Sequence, residues 1–210
     1  MIKDRLTPAQ HTALWDDFRG GSQEAFSQLY ELFAADLYRY GYNLVRNKQL
    51  VEDCLHELYL HLHAKRSQLG PTDNIRFYLY RSLRRRLTDA LTKLNKFDSD
   101  DYAFDNAEFL IQPYENDLIE QQTLERRKQI VVAELNKLPK RQKEILYLVY
   151  MKGLTYQQAA DVMEITMKSV YNTINVALTT LRNYIKETML REGLFVGILL
   201  LALFSYFTNF

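Results

Sequence analysis

Residues 155–181 read TYQQAADVMEITMKSVYNTINVALTTL. Thr155 and Gln158 stand three apart, the spacing of a reciprocal capping box, which predicts a short helix over about 156–163. Glu164-Ile165-Thr166 then reads as a tight turn. Thr166 caps a long helix in which Val170, Ile174, Leu178, Leu181 and Ile185 recur on one side. Short helix, tight turn and long helix make a helix-turn-helix pattern. The outer face of the long helix carries Ser169, Tyr171, Asn172, Thr173, Asn175 and Val176, with Lys168 at its start and Arg182 near its end. Asn and Thr can hydrogen-bond base edges in a duplex groove.

Upstream of this motif, helices are predicted over about 118–136 and 140–151. Pro139 sits where a first-turn proline is tolerated, and Gly153 is the stop. Lys137, Lys140, Arg141 and Lys143 form a basic block able to supply the phosphate contacts that the long helix lacks. Before it, residues 97–125 lack a sustained period and read as a linker, helical near its end.

The N-terminal part is predicted as three helices. In the first, over 22–46, Ser22 is the cap, Glu24 suits the helix dipole, and Phe26, Leu29, Phe33, Leu37, Tyr40 and Leu44 form one stripe. The second, over about 48–66, buries Val51, Leu55, Leu58 and Leu62 and exposes Glu52, Asp53, His56 and Glu57. Gly70-Pro71 breaks the chain. Asp73 or Asn74 caps a third helix over about 75–95, with Ile75, Leu79, Leu83, Leu87, Ala90 and Leu94 inward. Its outward side carries Tyr78, Arg81, Arg85, Thr88, Asp89 and Thr92, flanked by Arg84 and Arg86. Rings and guanidinium planes stack on bases while Arg neutralises phosphates, which is what a single strand requires. The expected architecture is all-α: a helical domain over 1–96, an acidic linker over 97–125, a helix-turn-helix domain over 126–190 and an apolar tail over 191–210.

Charge follows the same division. The 210-residue chain has a net charge of only +1. Residues 65–96 hold nine Lys and Arg against two acids, 98–125 hold nine acids and no base, and 126–152 hold eight bases against two acids. Two basic blocks about an acidic one describe two polyanion-binding modules joined by a segment that avoids polyanions or mimics one. A single cysteine, Cys54, excludes an internal disulfide framework and a cysteine zinc finger, and suits a reducing cytosol. No phosphate-binding glycine loop or nucleophile elbow is present. His56-Glu57 with His61 resembles HExxH but has its histidines five apart, about 140° around a helix, so no metal site is expected. Residues 193–210 carry no charge and could extend over roughly 27 Å, barely a bilayer core. Lys186 and Arg191 precede them, so a membrane tether and a helix packed on protein are equal readings.

These pieces, in this order, resemble the sigma-70 family of bacterial RNA polymerase initiation factors, in particular its extracytoplasmic-function (ECF) group. The resemblance spans about residues 22–186. FSQLYELFAADLYRYGYNL (26–44) looks like the opening of region two. VEDCLHELYLHLH (51–63) and NIRFYLYRSLRRRLTDAL (74–91) are similar to two further stretches of that region, and LPKRQKEILYLVYMKGLTYQQAADVMEIT (138–166) is similar to region four. NIRFYLYRS is like the iron-citrate-regulator-type sigma factors of the Bacteroidetes. The resemblance implies a non-catalytic protein without cofactor that binds RNA polymerase core and promoter DNA in the cytoplasm. Glu52, Asp53 and Glu57 would dock on the polymerase β′ coiled coil. Tyr78, Arg81, Arg84, Arg85 and Asp89 would hold the melted minus-ten strand. Arg141, Thr155, Lys168, Ser169, Tyr171, Asn172 and Asn175 would engage the minus-thirty-five duplex. It also admits an anti-sigma partner. The chain departs from the family at Arg85, where an Asn is usual, at Tyr78 for a Trp, at Gln158 for a Glu, and at Tyr171, Thr173 and Val176, where basic residues are common. The competing expectation is a helix-turn-helix regulator, or a degenerate sigma-like protein, that acts without polymerase.

Overall fold

A computed structural model of the chain describes residues 6–94 and 131–191, with side chains through Thr188. The acidic segment 97–125 and the apolar stretch 193–210 lie outside the described residues. Among the described residues eight helices follow one another: α1 (Pro8–Arg19), α2 (Gln23–Val45), α3 (Lys48–Lys65), α4 (Ile75–Lys93), α5 (131–137), α6 (Lys140–Leu146), α7 (Tyr156–Met163) and α8 (Met167–Arg191). A 3₁₀ turn, Arg66–Gln68, follows α3. There is no strand among the described residues.

Most helix starts are fixed by the capping residues legible in the sequence. The Ser22 hydroxyl accepts from the Ala25 amide at 3.1 Å, and the Asn74 carbonyl oxygen accepts from the Phe77 amide at 3.0 Å. At α7 the Thr155 hydroxyl accepts from the Gln158 amide, while the Gln158 side chain accepts from the Thr155 amide. Each cap satisfies donors that a helix start leaves open.

Helix α1 is an element the sequence reading did not contain. Its Thr7 and Gln10 form the same reciprocal box as Thr155 and Gln158, with Pro8 at the first helical position. It brings Trp15 and Phe18, both buried, against α2 and α4.

Three expected details differ. Leu94 was expected inward, but α4 ends at Lys93 and Leu94 is half exposed. Pro139 is the residue before α6 rather than its first helical residue. The expected helix over 140–151 is not uniform. After Leu146 it widens into a π-type turn over Tyr147–Met151, in which the Lys152 amide donates to the Tyr147 carbonyl at 3.1 Å. Gly153 closes this turn at φ 68°, a left-handed conformation that costs glycine little. In the helix-turn-helix, Glu164 takes that conformation, with φ 55°.

The core runs without interruption through both halves. Leu29, Phe33, Leu37, Leu58, Leu79 and Leu83 belong to one buried cluster that also includes Ile145, Leu148, Leu154, Val170 and Ile174. Burial of apolar side chains at roughly 25 cal/mol per Å² therefore holds the two halves together as well as each half internally. The two predicted modules are docked on each other in this structure, with α7 lying along α4.

Candidate nucleic-acid interface

The Arg-rich helix α4 presents two faces. Ile75, Leu79, Leu83 and Leu87 at four-residue steps point into the core, which leaves Arg81, Arg85 and Asp89 exposed in one row. Thr88 and Thr92 return their hydroxyls to the carbonyls of Arg85 and Thr88, so they add no outward donor to that row. The Arg81 and Arg85 guanidinium groups are thus presented to solvent on the side predicted to meet a single strand.

Two residues read as part of that surface are placed elsewhere. Tyr78 is half-buried, its ring 5.0 Å from the Trp15 ring. Helix α1 supplies that packing. Arg84 was expected to flank the outward side, but it is 5% exposed. Its Nε donates to the Glu144 carboxylate at 2.9 Å, and the Tyr40 hydroxyl donates to the same carboxylate oxygen at 2.8 Å. Arg84 sits one position past Leu83, so the docked C-terminal half covers it.

The contact between the halves is a polar network set among aromatic rings. The Tyr80 and Tyr147 hydroxyls are 3.1 Å apart, and Tyr40 stacks on Tyr147 with ring centroids separated by 6.1 Å. Burial and the neighbouring Glu144 carboxylate push the Tyr40 phenol far above its ordinary range. At the rim, Lys152 donates to Asp36, which also pairs with Arg39. Burial opposes ionisation of Asp36, yet the Lys152 hydrogen bond, with the Lys152 and Arg39 charges, outweighs it and holds the carboxyl below its usual value. For Lys152 the balance falls the other way: burial, joined by the Arg76 and Arg39 charges, lowers its pKa against the raising effect of Asp36. The Arg76 guanidinium donates to the Lys152 carbonyl at 3.1 Å, and the Asn74 amide donates to Gln158 at 3.4 Å. The caps of α4 and α7 therefore touch.

The sequence reading missed this network. Its signal was present in part: the basic block 126–152 contains two acids, Glu134 and Glu144, and both are buried.

On the other half, Lys168, Tyr171, Asn172 and Asn175 are exposed along α8, and Ser169 is partly so. Tyr171 meets Tyr156 edge-on at 4.9 Å, which fixes its ring against α7. Val176 is 53% exposed on the same face, an apolar position suited to a thymine methyl. Arg141 and Thr155 are exposed at the starts of α6 and α7.

The acids of α3 form a separate surface. Glu52, Asp53 and Glu57 are all exposed, with Glu52 3.7 Å from Lys48 and Glu57 3.7 Å from Arg86. His56 and His61 are exposed, whereas His63 packs edge-on against Phe26 at 5.2 Å. Among the described residues no cluster of three or more metal-ligating side chains occurs. Cys54 is buried, and burial with the nearby Glu57 charge raises its thiol pKa to about 11, so it is a packing residue. No helix of the described residues is long and apolar enough to cross a membrane, and the apolar tail lies outside them.

Comparison with known proteins gives the geometry its family. The description "Sigma-70 region 2" matches residues 29–97, and "Sigma-70, region 4" matches residues 128–181. The chain is 26% identical over 146 residues to the ECF RNA polymerase sigma factor SigM of Bacillus subtilis (strain 168), covering 66% of this chain and 82% of that one. Its fold is similar to CnrH in complex with the cytosolic domain of CnrY, at 17% identity and a TM-score of 0.51, covering 84% of this chain and 97% of that one. It is also similar to RpoE in complex with the anti-sigma factor NepR from Bartonella quintana, at 18% identity and a TM-score of 0.50, covering 77% and 96%. The order of the matched regions agrees with the order of the two helical halves, and the chain belongs to the sigma-70 family as a sigma factor of the ECF group.

Proposed function

We propose that the three surfaces divide the work of transcription initiation as follows. The acidic edge of α3, centred on Asp53, docks on the β′ coiled coil of RNA polymerase core in the cytoplasm. Arg81 and Arg85 on α4, with Asp89 and the edge of Tyr78, hold the opened minus-ten strand. Arg84 joins them when the C-terminal half moves away. The α8 face of Lys168, Ser169, Tyr171, Asn172 and Asn175 enters a major groove at the minus-thirty-five element, with Arg141 and Thr155 at the phosphates.

The observation that carries this reading is the segregation of charge by helix. Asp53 and Glu52 are exposed on α3, while Arg81 and Arg85 are exposed on α4. Acids would repel a phosphate backbone, so the α3 surface requires a different partner from α4. Arg85 replaces the usual Asn, which favours stacking and phosphate contact over reading of one base. On α8, Lys168 is the exposed cation beside the groove-facing side chains, which favours a duplex contact that depends on polymerase for most of its affinity. Two similar structures hold a second protein, CnrY and NepR. A regulator of that kind belongs to the proposal.

Run-off transcription with purified core polymerase tests it. Promoter-directed transcripts that require this chain are the expected result. Absence of both core binding and transcripts would overturn the reading in favour of a regulator that acts without polymerase.

A further inference from the structure

The groove-facing helix α8 is uncharged through its middle. Between Lys168 and Arg182, residues 169–181 read SVYNTINVALTTL and hold no acid and no base. At about 100° per residue, Tyr171, Asn172, Asn175 and Val176 fall on one stripe of the helix, and all four are exposed. Val170, Ile174 and Ala177 fill the opposite side and are buried. The stripe therefore offers two carboxamides, one aliphatic side chain and one ring. We infer that it selects a short block of consecutive A·T pairs, with Asn172 and Asn175 reading adenine and with Val176 and Tyr171 meeting thymine methyl groups. The inference deepens the proposed role of α8 and rests on that face entering a major groove.

The chemistry of the base edges makes the choice. In the major groove adenine presents an acceptor, N7, beside a donor, N6, and a carboxamide matches both at once. Guanine presents two acceptors, O6 and N7, which call for the paired donors of Arg or for Lys, and cytosine presents an amino donor, which Glu or Asp accepts. None of those four residue types stands in 169–181. Thymine alone carries a methyl group in that groove, and the exposed Val176 is an apolar contact for it. Tyr171 is braced before any duplex arrives. Its ring meets Tyr156 edge-on, and a hydrogen bond joins the Tyr156 and Tyr150 hydroxyls. A side chain already held loses less freedom on contact. Tyr171 and Val176 stand about 7.5 Å apart along the helix axis, which is about two base-pair steps, so the block is about three pairs long. Lys168 and Arg182, both exposed, bracket the neutral stripe and are left for phosphates.

Selection from a library of duplexes with a randomised central block tests the inference. It is run with the full chain alone at low salt and with the full chain on core polymerase. The recovered sequences should share a run of A·T pairs in at least one arm. On a recovered duplex, exchanging adenine for 7-deazaadenine removes only the N7 acceptor and should weaken binding by about ten-fold. Exchanging thymine for deoxyuridine removes only the methyl group and should weaken it by about four-fold. Val176→Ser should lose most of its response to deoxyuridine at one position. Asn175→Arg should move one position of the block from adenine to guanine, because the guanidinium fork fits O6 and N7. Both positions are exposed, so neither variant disturbs the core. G·C blocks, or no shared block in either arm, overturn the inference. A run of A·T pairs that Asn175→Arg leaves unchanged is read by another surface and overturns it as well. A shared A·T block selected by a chain that supports no transcription would overturn the functional reading and leave this inference standing.

Discussion

The Trp15 indole donates to the Gly70 carbonyl at 2.8 Å, and this bond ties α1 to the loop that precedes the Arg-rich helix. Arg19 adds a second tie, donating to the Leu69 carbonyl at 2.7 Å. Trp15→Phe leaves the Gly70 carbonyl without this donor and opens space beside Tyr78. It should lower stability by about 1–3 kcal/mol in denaturant unfolding. A change within error would mean that neither this hydrogen bond nor the added bulk of the indole contributes to stability.

Gly41 lies where α2 crosses α3 and α4. A Cβ there would stand 2.9 Å from Val51 Cγ1 and 3.2 Å from Leu87 Cδ1. Alanine gains about 1 kcal/mol of helix propensity over glycine, but overpacking a stiff β-branched neighbour costs about 1–3 kcal/mol. Gly41→Ala should therefore destabilise on balance, which thermal unfolding reads directly.

His11 is 8% exposed and stacks on Phe33, and burial, then the Arg76 charge, lowers its pKa below the ordinary value of 6.5. The unfolded chain binds a proton at His11 more readily than the folded one does. Stability should then fall as pH drops from above 6.5 toward the lowered folded pKa, and the loss is complete below it. His11→Phe should flatten that part of the stability–pH curve measured by urea unfolding. A slope that survives the substitution would assign it to another group.

Asp53 is exposed on α3. Asp53→Arg should leave unfolding within about 0.5 kcal/mol of wild type while weakening capture of core polymerase in a pull-down. Undiminished capture would remove Asp53 from the docking surface.

Arg81 and Arg85 are expected to touch phosphates of a single strand. Each such contact adds about 0.7 to the slope of log affinity against log salt. The double variant Arg81→Ala with Arg85→Ala should flatten that slope by about 1.4. An unaltered slope would show that neither guanidinium meets a phosphate.

The parts of this fold that were legible in the sequence are those governed by neighbours three or four residues away. The stripe from Leu29 to Leu44 and the Thr155–Gln158 box predicted α2 and α7 within a residue or so. The Thr7–Gln10 box announced α1 in the same language, but α1 offers only a short apolar pattern of Leu14, Trp15 and Phe18. The candidate site was legible where exposure follows from helix phase, as at Arg81, Arg85 and Asp53. It was not legible at Arg84 and Glu144, because their burial comes from a contact 60 residues apart in sequence. No periodicity within either helix encodes such a pairing.

The wide turn at Tyr147–Met151 has a consequence for comparing this chain with its relatives. It places Tyr147 and Lys152 on one side, with the Lys152 ammonium 5.2 Å from the Tyr147 ring centre. In an unbroken α-helix residues five apart diverge by about 140°. A homologue one residue shorter at this point could keep every contact through Leu146 and still leave the turn rotated by about 100°. Its lysine would then miss Asp36. Spotting that single gap in an alignment would separate chains built to fold back on themselves from chains whose two halves stay apart.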